Sequence, residues 1–290
     1  MSARPSILCF GEILWDFLPE GLFPGGAPFN VAYHLHKLNT DVRIISAVGR
    51  DRLGEELLRR LKIWDINSDL IIQHHGLPTG SVIASLNSVG DASYDILTSV
   101  AWDQITASED TVRSAVNTQA VVFGSLAQRS PVNRAALDRL FTVMPADAWR
   151  VFDVNLRAPH DDLDLVRELA LSVDLLKLNN VEATRIVLGT SDEQPGSEEA
   201  MARALAEDRG CRIVCITSGH RGAGLLIEGQ WVWESGQPVQ VADSVGAGDA
   251  FLARLLSHLL QGDISPADAL ASSCRHGEWV AAQRGATPTY

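Results

Sequence analysis

The sequence predicts an α/β fold with a mostly parallel central sheet and helices on both of its faces. Two observations support this prediction: short apolar runs recur along the chain, and segments with helical periodicity separate them. With 46% hydrophobic and 21% charged residues, the composition is that of a soluble globular protein. The length of 290 residues favours a single domain, residues 1–290, that carries a small insertion.

The elements follow one another in a regular order. Predicted strands cover residues 6–10, 42–48, 120–124, 150–154, 175–178, 213–217 and 224–227. Predicted helices cover residues 28–38, 53–63, 131–143, 163–172 and 198–208. Ser130 and Ser265 each precede a proline, which is the order typical of an N-cap and the first helical residue.

Two segments depart from this alternation. Residues 81–100 alternate apolar and polar side chains around Gly90-Asp91, which predicts a hairpin. Residues 12–24 are apolar but are interrupted by proline and glycine. Because neither segment has a crossover helix to cover it, we predict a small β lid from about residues 12–24 and 81–102, beside the main sheet.

Composition and charge exclude several classes of function. The net charge is −12 without a basic patch, so a nucleic-acid groove is not expected. No apolar stretch approaches the roughly 20 residues of a membrane-spanning helix. The first residues lack the apolar core of a secretory signal, so we expect a cytoplasmic protein. The four cysteines form no C-x-x-C pair, which favours buried free thiols over a metal site.

The segment 243–251, DSVGAGDAF, carries the clearest chemistry and precedes a helical pattern at 252–260. Gly246 and Gly248 allow a tight turn, after which backbone amides at the start of a helix form an anion site. Asp249 lies beside that site and is able to take a proton from an attacking hydroxyl. The alternative is a plain glycine-rich loop in which Asp249 only complements the helix dipole. The chain has no Gly-Lys-Ser/Thr and no third glycine here, which excludes a Walker A loop and disfavours a dinucleotide fingerprint.

This segment closely resembles the C-terminal signature of the PfkB, or ribokinase-like, carbohydrate kinases. The segments 25–32, GGAPFNVA, and 49–54, GRDRLG, resemble two further elements of that family in the same order. The resemblance runs from Gly11 to the segment 285–288 and implies a ribokinase-like fold, with ATP and Mg²⁺ as cofactors and a sugar as acceptor. A requirement for a monovalent cation such as K⁺ stays open. For the reaction it implies a catalytic base and an anion hole, at Asp249 and at Gly246, Ala247 and Gly248.

The resemblance also implies a set of residues that bind the sugar. These are Asp16, Gly25, Gly26 and Asn30, joined by Asn155 and Arg157 from a segment that resembles the family's Asp-x-Asn-x-Arg. Short carboxylate and amide side chains suit this task because they form hydrogen bonds with vicinal hydroxyls. The alternatives are a turn residue for Asp16, a helix cap for Asn30 and a structural salt bridge for Arg157.

On the nucleotide side, the segment 179–182 matches the family's Asn-x-x-Glu. It implies that Asn179 and Glu182 support magnesium and phosphate, with Glu182 acting on the metal through water. The alternative is an ordinary helix start with Asn179 as its cap. The segment 217–222 matches a loop that lines ATP mostly through its backbone, which implies contacts from Thr217, Gly219 and Gly222. His220 and Arg221 are expected to be exposed in that loop.

The segments 11–19 and 101–103 look most like the fructokinase branch, which implies phosphorylation of D-fructose at O6. Residues 11–36 contain no Arg or Lys, so a phosphosugar is disfavoured. Ribokinase, 2-keto-3-deoxygluconate kinase and nucleoside kinase stay open, as does an inactive sugar- or nucleotide-binding regulator. Arg254 stands where the family usually has a small residue, with an effect that the sequence does not reveal. Four apolar lid residues could form a homodimer contact or pack on their own lid: Trp15, Phe17, Leu22 and Phe23.

Overall fold

The computed structural model describes residues 4–18, 21–86 and 92–290. Within these ranges the strands are β1 (Ser6–Phe10), β2 (Leu14–Leu18), β3 (Gly21–Gly25), β4 (Asp41–Gly49), β5 (Ile71–His74), β6 (Gly80–Leu86), β7 (Ala92–Ile96), β8 (Ala120–Gly124), β9 (Trp149–Asp153), β10 (Leu175–Asn179), β11 (Ile213–Thr217), β12 (Gly222–Ile227) and β13 (Gln230–Ser235). The helices are α1 (Ala27–Lys37), α2 (Arg52–Ile63), α3 (Glu109–Ala115), α4 (Pro131–Val143), α5 (Leu163–Leu169), α6 (Asn180–Val187), α7 (Glu198–Arg209), α8 (Ala247–Gln261) and α9 (Pro266–Ala281).

The main sheet has nine strands in the order β13-β12-β11-β10-β9-β8-β1-β4-β5. Every neighbouring pair from β5 to β11 is parallel, and β12 and β13 add an antiparallel edge. The predicted α/β fold with a mostly parallel sheet is therefore confirmed. Because the parallel strands share one direction, their carboxyl ends meet at one edge of the sheet.

Helices cover both faces of this sheet, as predicted. The side chains of β1 alternate, so that Ile7 and Cys9 enter one apolar cluster while Leu8 and Phe10 enter the other. Helices α1, α2, α8 and α9 pack on the first cluster, and α3 to α7 pack on the second. Burial on both faces explains why the central strands read as continuous apolar runs. All four cysteines are buried and free, in agreement with the sequence.

A second, four-stranded sheet has the order β3-β2-β6-β7. Its outer pairs are antiparallel, whereas β2 and β6 run parallel to each other. The two strands of the predicted hairpin form, and its Gly90-Asp91 turn lies outside the described residues. Trp15 is fully buried and donates from Nε1 to the carbonyl oxygen of Leu53 (2.9 Å), so this residue packs within its own chain. Phe17, in contrast, is 38% exposed on this small sheet.

Some boundaries differ from the sequence prediction for identifiable reasons. Helix α8 begins at Ala247, five residues before the apolar pattern at 252–260, because the glycine-rich loop itself supplies the first turn. The predicted helix at 163–172 ends at Leu169 and continues as a 3₁₀ turn. Strand β13 was not predicted, since it is an edge strand whose mixed, largely exposed residues lack a clear apolar run.

The segment after α9 packs against the beginning of α8. Ala286 lies so close to Gly246 that a Cβ on this glycine would stand 2.6 Å from its Cα. His34 Nε2 donates to the carbonyl oxygen of Ala286 (2.9 Å), which leaves Nδ1 to accept from the Tyr290 hydroxyl (2.7 Å). The same hydroxyl oxygen accepts from His276 Nε2 (2.6 Å). These hydrogen bonds fix the segment 286–290 between α1 and α9.

Candidate active site

The residues predicted to carry chemistry gather at the carboxyl edge of the main sheet. Strands β9 and β10 end side by side, with Asp153 in register with Lys177, and Asn179 at the end of β10 is in register with Thr217 at the end of β11. This edge therefore places Asn179 and Thr217, which the sequence assigned to the nucleotide, near the strand end that leads to Asn155 and Arg157.

The glycine-rich loop ends at Gly246, the N-cap of α8, with a φ of 79°. That left-handed conformation and the close approach of Ala286 both exclude a side chain at this position. The backbone amides of the first helical turn have no partner within the helix and favour an anion. The Ala247 amide donates to the Ser244 carbonyl oxygen at 3.3 Å, so the amides of Gly248 and Asp249 are the better candidates for anion contacts.

Asp249 lies in the first turn of α8, as predicted, and is only 9% exposed. Its Oδ2 accepts a hydrogen bond from Asn30 Nδ2 at 2.8 Å. Burial and the negative charge of Asp153 raise the pKa of Asp249 to about 6, against the opposing effects of Lys177, the Asn30 hydrogen bond and Arg157. A carboxylate with a pKa near the operating pH is well suited to act as a general base.

Asn30 is not a helix cap, because α1 begins at Ala27 and its N-cap is Gly26. The side chain instead crosses to Asp249, and its Oδ1 is buried without a protein partner. A buried acceptor of this kind favours a ligand or water that can donate a hydrogen bond. The predicted pairing of Asn30 with the sugar remains a proposal that this geometry supports.

Asp16 on β2 faces the same region. Burial raises the pKa of Asp16 to about 6, and the charges of Asp243 and Asp249 add to the effect while Arg157 opposes it. Its carboxylate lies against the backbone of Gly25, where a Cβ would collide with it. Gly26 has a φ of 109°, and a Cβ there would collide with the Glu12 carbonyl. The Gly-Gly pair thus lets the chain pass closely between two carboxylate residues.

Glu12 belongs to this cluster, although it was not singled out from the sequence. It is buried, its Oε1 accepts from the Ala27 amide (3.3 Å), and its Oε2 has no protein partner. Burial raises the pKa of Glu12 to about 7, against its backbone hydrogen bonds and Arg157. Its position directly after Gly11, at the carboxyl end of β1, was the only available signal in the sequence.

Asn155 and Arg157 follow β9 at the carboxyl edge of the main sheet. Asn155 has a φ of 42°, a left-handed conformation that asparagine tolerates better than most residues. Arg157 is exposed, and among the described residues no ion pair includes it, so the salt-bridge alternative finds no support there. Its positive charge lowers the pKa of Glu12, Asp16 and Asp249, which indicates a position near all three.

Asn179 and Glu182 form a reciprocal capping box at the start of α6. Asn179 Oδ1 accepts from the Glu182 amide and Glu182 Oε2 accepts from the Asn179 amide, both at 2.8 Å. Glu182 Oε1 accepts in addition from the Leu156 amide at 2.8 Å. The alternative that Asn179 caps the helix is therefore confirmed. Each carboxylate oxygen keeps a lone pair, so water-mediated support of a cation remains compatible with it.

The loop 217–222 is closed by the Ser218 amide, which donates to the Gly222 carbonyl oxygen at 2.8 Å. His220 is exposed, as expected. The expectation for Arg221 was wrong: it is half-buried, because its guanidinium forms an ion pair with the buried Glu198. Glu198 also accepts from Ser218 Oγ at 3.1 Å. The contacts of Glu198 with Ser218 and Arg221 therefore hold the loop that follows Thr217.

A buried ion pair that the sequence did not reveal lies under the glycine-rich loop. Lys177 Nζ donates to both oxygens of Asp153, at 2.9 and 3.0 Å, and the side chains are 8% and 4% exposed. A Cβ on Gly248 would stand 3.2 Å from this ammonium. The pair was not predicted because a lysine within a strand is ordinarily expected on a solvent-exposed face.

The described ranges contain neither a cluster of metal-binding side chains nor a membrane-spanning helix. Within residues 4–18, 21–86 and 92–290, no cluster of three or more His, Cys, Asp or Glu is arranged to hold a metal ion. In the same part of the chain, no helix has the length and apolar character needed to cross a membrane.

Known proteins resemble this chain in sequence and in fold. The profile of the pfkB family carbohydrate kinases matches residues 20–289. A fructokinase of Klebsiella pneumoniae is 28% identical over 92% of this chain and 91% of its own length. A Vibrio cholerae fructokinase solved with fructose, ADP and calcium superimposes with a TM-score of 0.82, at 22% identity, over 99% of this chain and 96% of that one.

A putative ribokinase II of Escherichia coli, solved with ATP and Mg²⁺, has the same fold. It superimposes with a TM-score of 0.81 at 20% identity, covering 98% of this chain and 95% of that one. The fold is therefore that of the ribokinase-like kinases, and the family match extends over nearly the whole chain. From the fold and this match together, the chain belongs to the pfkB family of carbohydrate kinases and is a phosphotransferase that acts on a sugar hydroxyl.

Proposed function

We propose that this sugar kinase transfers the γ-phosphate of ATP to O6 of D-fructose, with Asp249 as the base. The observation that carries the proposal is the buried Asp249 carboxylate, which lies at the N-terminus of α8 with a pKa raised to about 6. An anion site and a base in one helical turn suit the transfer of a phosphoryl group to a hydroxyl. The fructokinase relatives support fructose as the acceptor.

In this reaction the sugar oxygen forms a bond to the γ-phosphorus while the bond from that phosphorus to the β,γ-bridging oxygen breaks. The bridging oxygen leaves with the electron pair as part of ADP, and the hydroxyl proton passes to Asp249. The free amides at the start of α8 stabilise the charge on the transferring group. Asn30 orients the base through its hydrogen bond to Oδ2.

The sugar pocket offers acceptors that hydroxyls would satisfy. Glu12 Oε2 and Asn30 Oδ1 are buried without protein partners, and each can accept from a sugar O–H. Asp16 supplies a further acceptor, and Arg157 lies where it can donate to a hydroxyl or a phosphate oxygen. We propose that the small sheet of β2, β3, β6 and β7 acts as the lid that covers the sugar and excludes water.

ATP is proposed to lie along the loop 217–222 and the start of α6. When bound, Mg²⁺ would neutralise charge on the phosphates. The residues present fit an ion that keeps most of its waters, because only Glu182 is at hand and its oxygens already accept backbone hydrogen bonds. The monovalent cation, the homodimer and the cytoplasmic location expected from the sequence stay predictions.

The first test is release of ADP from Mg·ATP in the presence of fructose, ribose, 2-keto-3-deoxygluconate, adenosine or fructose 6-phosphate. We expect fructose to give the highest kcat/KM, and coupling to phosphoglucose isomerase and glucose 6-phosphate dehydrogenase to identify the product as the 6-phosphate. A clear preference for another acceptor would overturn fructose while retaining the kinase. Sugar binding without turnover by a folded sample would favour an inactive binding protein instead.

A further inference from the structure

The Asp153–Lys177 ion pair lies inside the proposed site and has no role in the mechanism described so far. It joins the last residue of β9 to the middle of the neighbouring parallel strand β10, because Asp153 is in register with Lys177. The two Asp153 oxygens take two of the three ammonium protons of Lys177. Burying such a pair is costly unless the structure gains something from the charges.

The pair is adjacent to both parts of the phosphoryl-transfer machinery. The Lys177 ammonium lies against the backbone of Gly248, at 3.2 Å from the position that a Cβ would occupy. The negative charge of Asp153 acts on Asp249, the next residue along the helix. Lys177 is one of only three lysines in the chain, and it is buried, whereas Lys37 and Lys62 are not.

Several of the elements around Asp249 carry charged or polar groups. Those that bear on it are Asn30 of α1, Glu12 after β1, Asp16 of β2, Asp153 of β9, Arg157 after β9 and Lys177 of β10. Among the charges, Asp153 has the largest effect on Asp249, and it raises the pKa of that carboxyl. Lys177 and Arg157 act in the opposite direction.

We propose that Asp153 and Lys177 form a positioning pair, in which Asp153 keeps Asp249 able to accept the hydroxyl proton and Lys177 holds both Asp153 and the Gly248 backbone in place. This proposal rests on the proposed role of Asp249 as the base. The proton leaves the sugar hydroxyl for an Asp249 oxygen as the oxygen–phosphorus bond forms and ADP departs, and neither Asp153 nor Lys177 exchanges a proton in that step.

The different roles of Asp153 and Lys177 follow from their charges. A carboxylate near Asp249 makes a second negative charge unfavourable, so Asp249 becomes a stronger base. Without a partner, Asp153 itself would take up a proton in this buried position, and its effect would be lost. Although burial alone would lower the pKa of Lys177, the charges of Asp153, Asp249 and Glu182 raise it, so the ammonium stays charged.

The test compares Asp153→Asn with the wild-type enzyme by following the side-chain carboxyl ¹³C signals of labelled aspartate against pH. The Asp249 signal is assigned by its absence in Asp249→Asn. We expect the pKa of Asp249 to fall by about one unit in Asp153→Asn. The matched control is Asp174→Asn, which removes a carboxylate from the Arg212 ion pair at the opposite end of β10 and should leave the Asp249 titration in place.

Should Asp153→Asn fail to fold, the double variant Asp153→Asn/Lys177→Met leaves neither charge unpaired. It is expected to show a smaller fall, because Asp153 raises the pKa of Asp249 more than Lys177 lowers it. An unchanged or higher pKa of Asp249 in whichever variant folds would overturn the proposal.

Kinetics provide a second readout. The kinetics use the sugar that gives the highest kcat/KM in the ADP-release assay. In Asp153→Asn, the fall of kcat/KM on the acidic side of the pH profile should move to lower pH. A merely structural pair would instead lower kcat equally at all pH values. Since the ¹³C titration needs no turnover, a chain that phosphorylates no sugar would refute the proposed function while the effect of Asp153 on Asp249 could still be confirmed.

Discussion

Two buried carboxylates at the same edge of the sheet, Glu198 and Asp249, have pKa values shifted in opposite directions. Glu198, on the nucleotide side, accepts hydrogen bonds from Asn180, Gly196, Ser218 and Arg221, and these bonds outweigh burial and lower its pKa. Asp249, on the sugar side, accepts one side-chain hydrogen bond, and burial raises its pKa to about 6.

The difference indicates how each side works. Around Glu198, side chains satisfy one another and hold the loop 217–222, which we propose to line ATP. Around Asp249, the buried oxygens Glu12 Oε2 and Asn30 Oδ1 have no protein partner, and we propose that sugar hydroxyls donate to them. Paired charges thus mark scaffolding in this site, whereas unsatisfied acceptors mark chemistry.

The largest expected effect is the loss of kcat on substitution of Asp249. Asp249→Asn removes the base but retains the shape and the hydrogen bond from Asn30, so kcat should fall by about 10²–10⁴-fold with sugar binding retained. Turnover assays combined with calorimetric binding of the sugar measure both quantities. Asp174→Asn serves as the control for loss of a carboxylate elsewhere. Near-normal turnover in Asp249→Asn would contradict the role of Asp249 as the base, and with it the contrast with Glu198.

The second prediction concerns Lys177→Met, which leaves Asp153 buried without a counter-charge. Breaking such a pair should lower the free energy of unfolding by about 3–5 kcal/mol. Addition of Asp153→Asn should restore most of the loss, because no charge is then unpaired. Urea unfolding of the two single variants and the double variant measures the coupling. Additive losses would show that the two residues do not act as a pair.

The third prediction concerns Glu198, whose hydrogen bonds hold the loop 217–222. Glu198→Gln replaces one acceptor oxygen with a donor amide that faces donors from Ser218 and Arg221, so the loop 217–222 should loosen. We expect the KM for ATP to rise several-fold and the KM for the sugar to change little, with a stability loss of about 3 kcal/mol. Initial rates at varied ATP and varied sugar separate these effects. A change confined to the KM for the sugar would contradict the assignment of the two sides.

The smallest effect is a pH-dependent gain in stability. The pKa of Asp249 rises from 3.8 to about 6 on folding, so between these values the folded state holds a proton that the unfolded state has released. The free energy of unfolding therefore falls as the pH rises through this window. Asp249→Asn should avoid that loss and be more stable than the wild type by about 3 kcal/mol at pH 7.5.

Thermal or urea unfolding at pH 4 and pH 7.5 checks this result. The advantage of Asp249→Asn should be small at pH 4, where the wild-type carboxyl is largely protonated in the folded state. A stability difference that is equal at the two pH values would mean that burial of the charge at Asp249 is not its cause.

Much of the fold was predictable because its signals are local. The strands at 6–10, 120–124 and 213–217 and the helix at 131–143 were predicted with their observed bounds, since apolar runs and an N-terminal proline define them. The edge strand β13 lacked such a signal. Residues 14–18 and 21–25 form strands despite the proline and glycines in β3, because pairing between β2, β3 and β6 outweighs local preference.

Within the site, motifs predicted residues but not their pairings. The glycine-rich motif placed Asp249 in a helical first turn, whereas its contact with Asn30, 219 residues earlier, is visible only in the fold. The partners Asp153 and Lys177, and likewise Glu198 and Arg221, are also distant in sequence. A single sequence contains no information on which buried charges meet, so Arg221 was wrongly expected to be exposed.

The register of β9 and β10 has a consequence for folding of the chain. A slip of one residue between these strands would turn Lys177 toward the opposite face, where Leu176 and Leu178 lie in an apolar cluster. An ammonium buried there without a partner would be strongly unfavourable. Parallel sheets form slowly because their contacts join distant segments, and mispaired strands compete during that search. The Asp153–Lys177 pair therefore favours the observed alignment of the two central strands over a slipped one.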